Sequence, residues 1–165
     1  MSARPLLHRL ASTWLPLVDG TVGLILLGAL LAPLCDAAGL PELSDRIHFA
    51  YLLLCPQRPE HSYFLLGYQL ALEHREIAML VSLLLGSALY RVRRAQKWKI
   101  PLWLMLVASL PMLWDVLSQA AGLRESDWFT RTWTAGLFTL TYVFWLYPAL
   151  DQLARPTPSR ARVST

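Results

Sequence analysis

At 165 residues with two cysteines, the chain has the length of one domain and cannot build a disulfide framework or an all-cysteine zinc site. Its 55% hydrophobic content and positive mean hydropathy exceed the roughly 45–50% of soluble domains, and the apolar residues come in blocks, as in an integral membrane protein. The net charge of +4 gives no support to nucleic-acid binding, because the basic residues cluster at the ends of those blocks.

In chain order, residues 1–13 carry Arg4, His8 and Arg9 and no acid. Leu15 to Leu34 is apolar except for Asp19, long enough for a bilayer core of about 30 Å, and too long for the 7–15-residue core of a signal peptide. It is therefore read as a retained helix, with Asp19 a solvated or backbone-bonded carboxylate near the interface. Pro41 to Leu54 reads as a short amphipathic helix lying on the membrane. Ser44 can cap it, and His48 and Cys55 would share a face if it persists. A second span runs from about Leu72 to Tyr90 and ends in the basic run Arg91, Arg93, Arg94, Lys97 and Lys99. A third runs from Ile100 to Trp114, with Pro111 as a possible kink, and a fourth from Trp133 to Leu150. The expected fold is an all-α integral membrane bundle of four transmembrane helices, with an interfacial helix and an outer polar cap. Residues 1–150 form its single domain, and 151–165 a flexible cytoplasmic tail.

Orientation follows from the basic residues. With a cytoplasmic N-terminus, ten of the 15 Lys and Arg fall on cytoplasmic segments and nine of the 11 acids on the outer ones. The expectation is a multi-pass protein of the cell membrane with both termini cytoplasmic. Trp14, Trp98 and Trp145 then fall near the inner interface, and Trp114, Trp128 and Trp133 near the outer one. Cys35 and Cys55 share the outer, oxidising side, where a disulfide forms only if their backbones approach.

Chemistry concentrates between Cys55 and Glu76. Pro56 and Pro59 make a rigid turn after Cys55, and Glu73, His74, Arg75 and Glu76 stand at the mouth of a span, where unpaired charge is expensive. Glu73 and Glu76, read as i, i+3 on one helix face, are expected to pair with Arg58, Arg75, Arg124 or Arg131. The competing arrangement is a divalent metal held by Cys55, Glu73 and Glu76 with His61 or His48, since zinc accepts S, N and O donors. A second polar group comprises Asp115, Gln119, Arg124, Glu125, Ser126, Asp127 and Arg131. Asp115 and Gln119 are spaced to share a ligand, Gly122 to end a helix, and Ser126 or Asp127 to cap the next.

The run Cys55-Pro-Gln-Arg-Pro-Glu-His-Ser-Tyr-Phe, closing on Gly67-Tyr68-Gln69, resembles the signature of domain-of-unknown-function family 2085, predicted small membrane proteins. A second block matches at Asp115, Gln119, Gly122, Arg124, Glu125, Ser126, Arg131 and Thr134, so the resemblance covers roughly residues 48–138. Pro56 stands where the family pattern has histidine, Val116 where it has glycine, and Glu73 and Glu76 where it has a C-x-x-C pair. The resemblance implies a soft-metal site of which one thiolate is kept, and it marks Gln69, His74 and the second block as functional candidates.

No serine elbow, phosphate loop, zinc-protease helix or haem motif is present. The first expectation is thus a non-enzymatic accessory subunit or binding protein, in contact with the bilayer and with a membrane partner or a second copy. Its outer cap would bind an ion or a partner. The alternative is a metal-dependent membrane enzyme or metal-handling protein.

Overall fold

A computed structural model describes residues 4–93 and 99–154 of the chain. Five helices carry it: α1 (Arg4–Ala37), α2 (Pro41–Tyr51), α3 (His74–Arg93), α4 (Leu102–Ala120) and α5 (Trp128–Ala154). Between α2 and α3, after a 3-10 turn at Pro59–His61, lies an antiparallel hairpin of β1 (Ser62–Leu65) and β2 (Tyr68–Glu73). The all-α expectation is corrected here. What reads as the approach to a span is a strand pair, and the helix begins at His74, so Glu73 and Glu76 are not on one helix face.

The hairpin turn explains why. Leu65 pairs with Tyr68 across Leu66 and Gly67, whose φ angles are 56° and 86°. Two successive positive φ values give a turn whose twist matches the strands. Gly67 adopts that conformation freely, whereas at Leu66 the left-handed region costs about 1–2 kcal/mol. A register shift between Ser62 and Phe64 kinks β1 at Tyr63, whose hydroxyl reaches Thr132 of α5 at 2.5 Å.

The helices pack in sequence. α1 lies against α2, β2 and α3, α3 against α5, and α5 against α4. Two apolar clusters fix them. At one end Leu15, Tyr90, Val143, Phe144 and Tyr147 meet; at the other Ala29, Ala32, Cys55, Ala71 and Leu72 seat the hairpin and α2 on α1. Tyr51 donates its hydroxyl to the Ile25 carbonyl at 2.5 Å in a notch that Gly28 leaves open, where a Cβ would lie 2.2 Å from that oxygen.

Thr13–Ala37 and Leu102–Ala120 are long and apolar enough to cross a membrane, and most of their leucines face outward. α3 and α5 pack extensively on each other. They bury Ser82, Ser87, Ala135, Thr139 and Val143 against each other, and small residues let helix backbones approach closely. A Cβ at Gly86 would meet the Val143 side chain at 3.1–3.2 Å, and Val143 is wholly buried and β-branched. Gly86→Leu should therefore force α3 from α5 and cost about 1–3 kcal/mol, read as a lower Tm in detergent.

Other expectations are adjusted. Ser44 does not cap α2 but donates to Asp36 at 2.7 Å, and α2 stops at Tyr51, which ends the shared face of His48 and Cys55. α4 runs on to Ala120, where Gly122 (φ 68°) closes it and the Leu123 N–H reaches the Ser118 carbonyl at 2.9 Å. Asp127 caps α5 by accepting from the Thr130 N–H at 2.8 Å. Asp19 is neither lone nor merely solvated, since it pairs with Arg91 of α3. Residues 151–154 continue α5. The expectations for residues 94–98 and 155–165 lie outside the described residues.

Candidate functional site

The end of the bundle that carries the hairpin is where the expected residues meet. Cys55 closes the turn after α2, Glu73 ends β2, and His74, Arg75 and Glu76 open α3. Asp115 and Gln119 lie in the last turns of α4, while Arg124 and Arg131 come from the α4–α5 connection and the start of α5.

One network centres on Asp115, which is 1% exposed. Its two oxygens accept from Arg75 at 2.5 Å and Arg124 at 2.6 Å. Arg75 also donates to Gln119 at 3.0 Å, and the Arg124 Nε to Ser118 at 3.3 Å. Asp115 and Gln119, at i, i+4, are bridged by the Arg75 guanidinium of the same chain.

A second network centres on Arg131, 2% exposed. Its Nε donates to the Ser126 carbonyl at 3.0 Å, one Nη donates to His61 Nε2 at 2.8 Å, and the other lies 3.8 Å from Glu73. Arginine only donates, so His61 Nε2 accepts and the ring proton sits on Nδ1, 3.8 Å from the same Glu73 oxygen. The other Glu73 oxygen accepts the Arg58 N–H at 3.0 Å. The expected pairing of Glu73 with Arg131 is thus present.

Burial and the neighbouring Arg131 charge hold the His61 pKa below its ordinary 6.5, with Glu73 and Glu60 opposing and Arg58 adding to the shift. The unfolded chain then binds more protons than the folded one below about pH 6.5. Stability from neutral His61 is fully present above that pH and is lost as the pH falls through the lower folded value. Tm should drop on acidification below about pH 6.5, and His61→Gln should flatten the drop.

Cys55, Glu73 and Glu76 place sulfur and carboxylate oxygens within 4.8 Å of one another. Burial raises the Cys55 thiol pKa, opposed by the neighbouring backbone at Gln57 and Glu73 and reinforced by the Glu76 and Glu73 carboxylates. One Glu76 oxygen is buried without a hydrogen-bond partner among the described residues. Cys55 is 2% exposed, and neither it nor Cys35 is in a disulfide.

The remaining candidates sort differently. His48 lies away from the thiol: its Nδ1 meets the Gln57 side chain at 2.5 Å, and Gln57 donates back to the His48 carbonyl at 2.7 Å. Gln69 donates to the Gln57 carbonyl at 2.7 Å and to Ser62 at 3.1 Å. These two residues clamp the turn in which Gln57 is held at φ 56°. His74 is buried with its ring edge-on to Tyr63 at 4.2 Å. Glu125 joins Arg58, Glu60, His61, Gln119, Gly122 and Arg124 around a cleft of about 470 Å³. Sequence reasoning missed the buried pairs at the opposite end, Ser87 with Tyr147 at 3.0 Å and Tyr90 with Asp151 at 3.3 Å. A buried acid late in α5 was their one visible signal.

The family profile described as "Predicted membrane protein (DUF2085)" matches residues 55–145, which takes in both networks and the cleft. The chain is 32% identical over 113 residues to the uncharacterized protein MJ1492 of Methanocaldococcus jannaschii, covering 67% of this chain and 72% of that protein. No solved structure matches it.

Proposed function

Since the chain belongs to the DUF2085 family of predicted membrane proteins, we propose that it is a four-span binding protein or accessory subunit whose cap lies outside the cytoplasm and receives a small charged ligand. The spans are α1, α3, α4 and α5, and both termini are cytoplasmic, in keeping with the distribution of Lys and Arg. The observation that carries the binding role is the cleft. Two guanidiniums (Arg58 and Arg124) and two carboxylates (Glu60 and Glu125) line it beside His61. Its inner wall is held by the Asp115 and Arg131 networks, so the recognising groups are positioned before a ligand arrives. Charges of both signs suit a zwitterion such as an amino acid.

A thermal-shift series with amino acids tests the role. At 100 times its Kd a ligand should stabilise the protein by about 2.7 kcal/mol, and Arg124→Gln with Glu125→Gln should abolish the shift. A panel that moves Tm equally in both proteins would refute the cleft reading. Orientation is tested with a membrane-impermeant thiol reagent on intact cells. In a Cys35→Ser background, Glu60→Cys should label and a cysteine placed in 94–98 should not, whereas buried Cys55 should stay silent throughout. The reverse pattern would invert the topology.

A further inference from the structure

Cys55, Glu73 and Glu76 come from three separate pieces of backbone: a turn, a strand end and the first turn of a helix. Their donor atoms lie within 4.8 Å of one another. In a tetrahedral site with bonds of about 2.0–2.3 Å, donors stand about 3.3–3.8 Å apart. Closing the present separation takes about 1–1.5 Å, which calls for side-chain rotation at Glu76 and a shift of Glu73 that stretches its bond to the Arg58 N–H.

Two further features bear on the site. Glu76 keeps an oxygen buried with no hydrogen-bond partner among the described residues, and a carboxylate oxygen so placed costs free energy until something fills it. The charges also add up. A thiolate and two carboxylates carry three negative charges, and the Arg131 guanidinium, 3.8 Å from Glu73, supplies one positive charge. A divalent cation brings the set to neutrality.

We propose that Cys55, Glu73 and Glu76 form a site for one borderline divalent transition metal of the zinc type. Thiolate ligation disfavours magnesium and calcium, and a single sulfur among oxygens disfavours copper(I). Three protein donors leave the fourth tetrahedral position to solvent, which marks an exchangeable or reactive site rather than a closed structural one. The site does not depend on the ligand proposed for the cleft.

Cobalt(II) titrated into chelator-stripped, detergent-purified protein reads the site optically. One equivalent should bind, with a thiolate-to-cobalt charge-transfer band and tetrahedral visible bands. Zinc(II) should displace it, while millimolar magnesium or calcium should not. Cys55→Ser should remove the charge-transfer band. Glu76→Gln, near-isosteric and chosen to preserve the fold, should weaken binding by more than the roughly 100-fold typical of losing an outer-shell partner. Near-UV circular dichroism establishes that each variant is folded. Folded protein that takes up no stoichiometric cobalt or zinc overturns the proposal. So does a charge-transfer band that survives Cys55→Ser, or equal displacement by calcium.

Discussion

Asp115→Asn should lower the stability of the detergent-solubilised protein by about 3–5 kcal/mol, the largest loss expected of any near-isosteric change in this chain. Asp115 is 1% exposed and holds two guanidiniums, Arg75 from α3 and Arg124 from the α4–α5 connection. An amide keeps the volume but withdraws the charge and one of the two acceptor oxygens, leaving Arg75 (15% exposed) with no anionic partner. Breaking a buried pair from one side is costly because the surviving charge is stranded. Arg124→Gln should cost far less, about 1 kcal/mol or under, because that side chain is 43% exposed and can hydrate. Thermal or denaturant unfolding of the two variants side by side checks the ordering. Equal losses would mean that Asp115 is not the joint between α3 and α4.

Arg131→Met should cost a comparable amount, about 3–5 kcal/mol, and it should also change a titration. The methionine keeps apolar contact along the side-chain stem but abandons three acceptors: the Ser126 carbonyl, His61 Nε2 and the Glu73 carboxylate. Arg131 is one cause of the depressed His61 pKa. Its removal, with Glu73 still facing Nδ1, should let His61 take up a proton at higher pH. NMR of the His61 ring reads that displacement directly. An unmoved titration beside a lowered Tm would assign Arg131 a packing role only.

How much of this was readable beforehand depends on the range of each interaction. The helices announced themselves through apolar blocks and their ends: Gly122 closes α4 and Asp127 opens α5 where turn chemistry places them. The meeting of Cys55, Glu73 and Glu76 was also legible, although through the wrong geometry, since it rests on a strand end and not a helical i, i+3 spacing. The hairpin was not. Tyr63 to Leu72 is nearly continuous in apolar residues and shows little period-2 alternation, because β2 is buried along Leu70, Ala71 and Leu72 against α1. Its turn places a leucine where asparagine or aspartate usually signals a hairpin. The Asp115 and Arg91 partnerships join residues 40 and 72 positions apart, and one sequence carries no mark of them.

The notch at Gly28 is expected to separate two stages in the making of this protein. A tyrosine hydroxyl that bonds a main-chain carbonyl on an already wound helix can arrive only after that helix exists. α1 is synthesised before α2 and the hairpin, so the docking of Tyr51 is expected to follow the winding of α1 rather than to accompany it. Gly28→Ala tests the division. A methyl group there displaces Tyr51 and withholds docking while leaving every apolar helix competent to insert. In a Cys35→Ser background, such a chain should reach the membrane in normal amount but expose Cys55, buried in the native fold, to a thiol reagent.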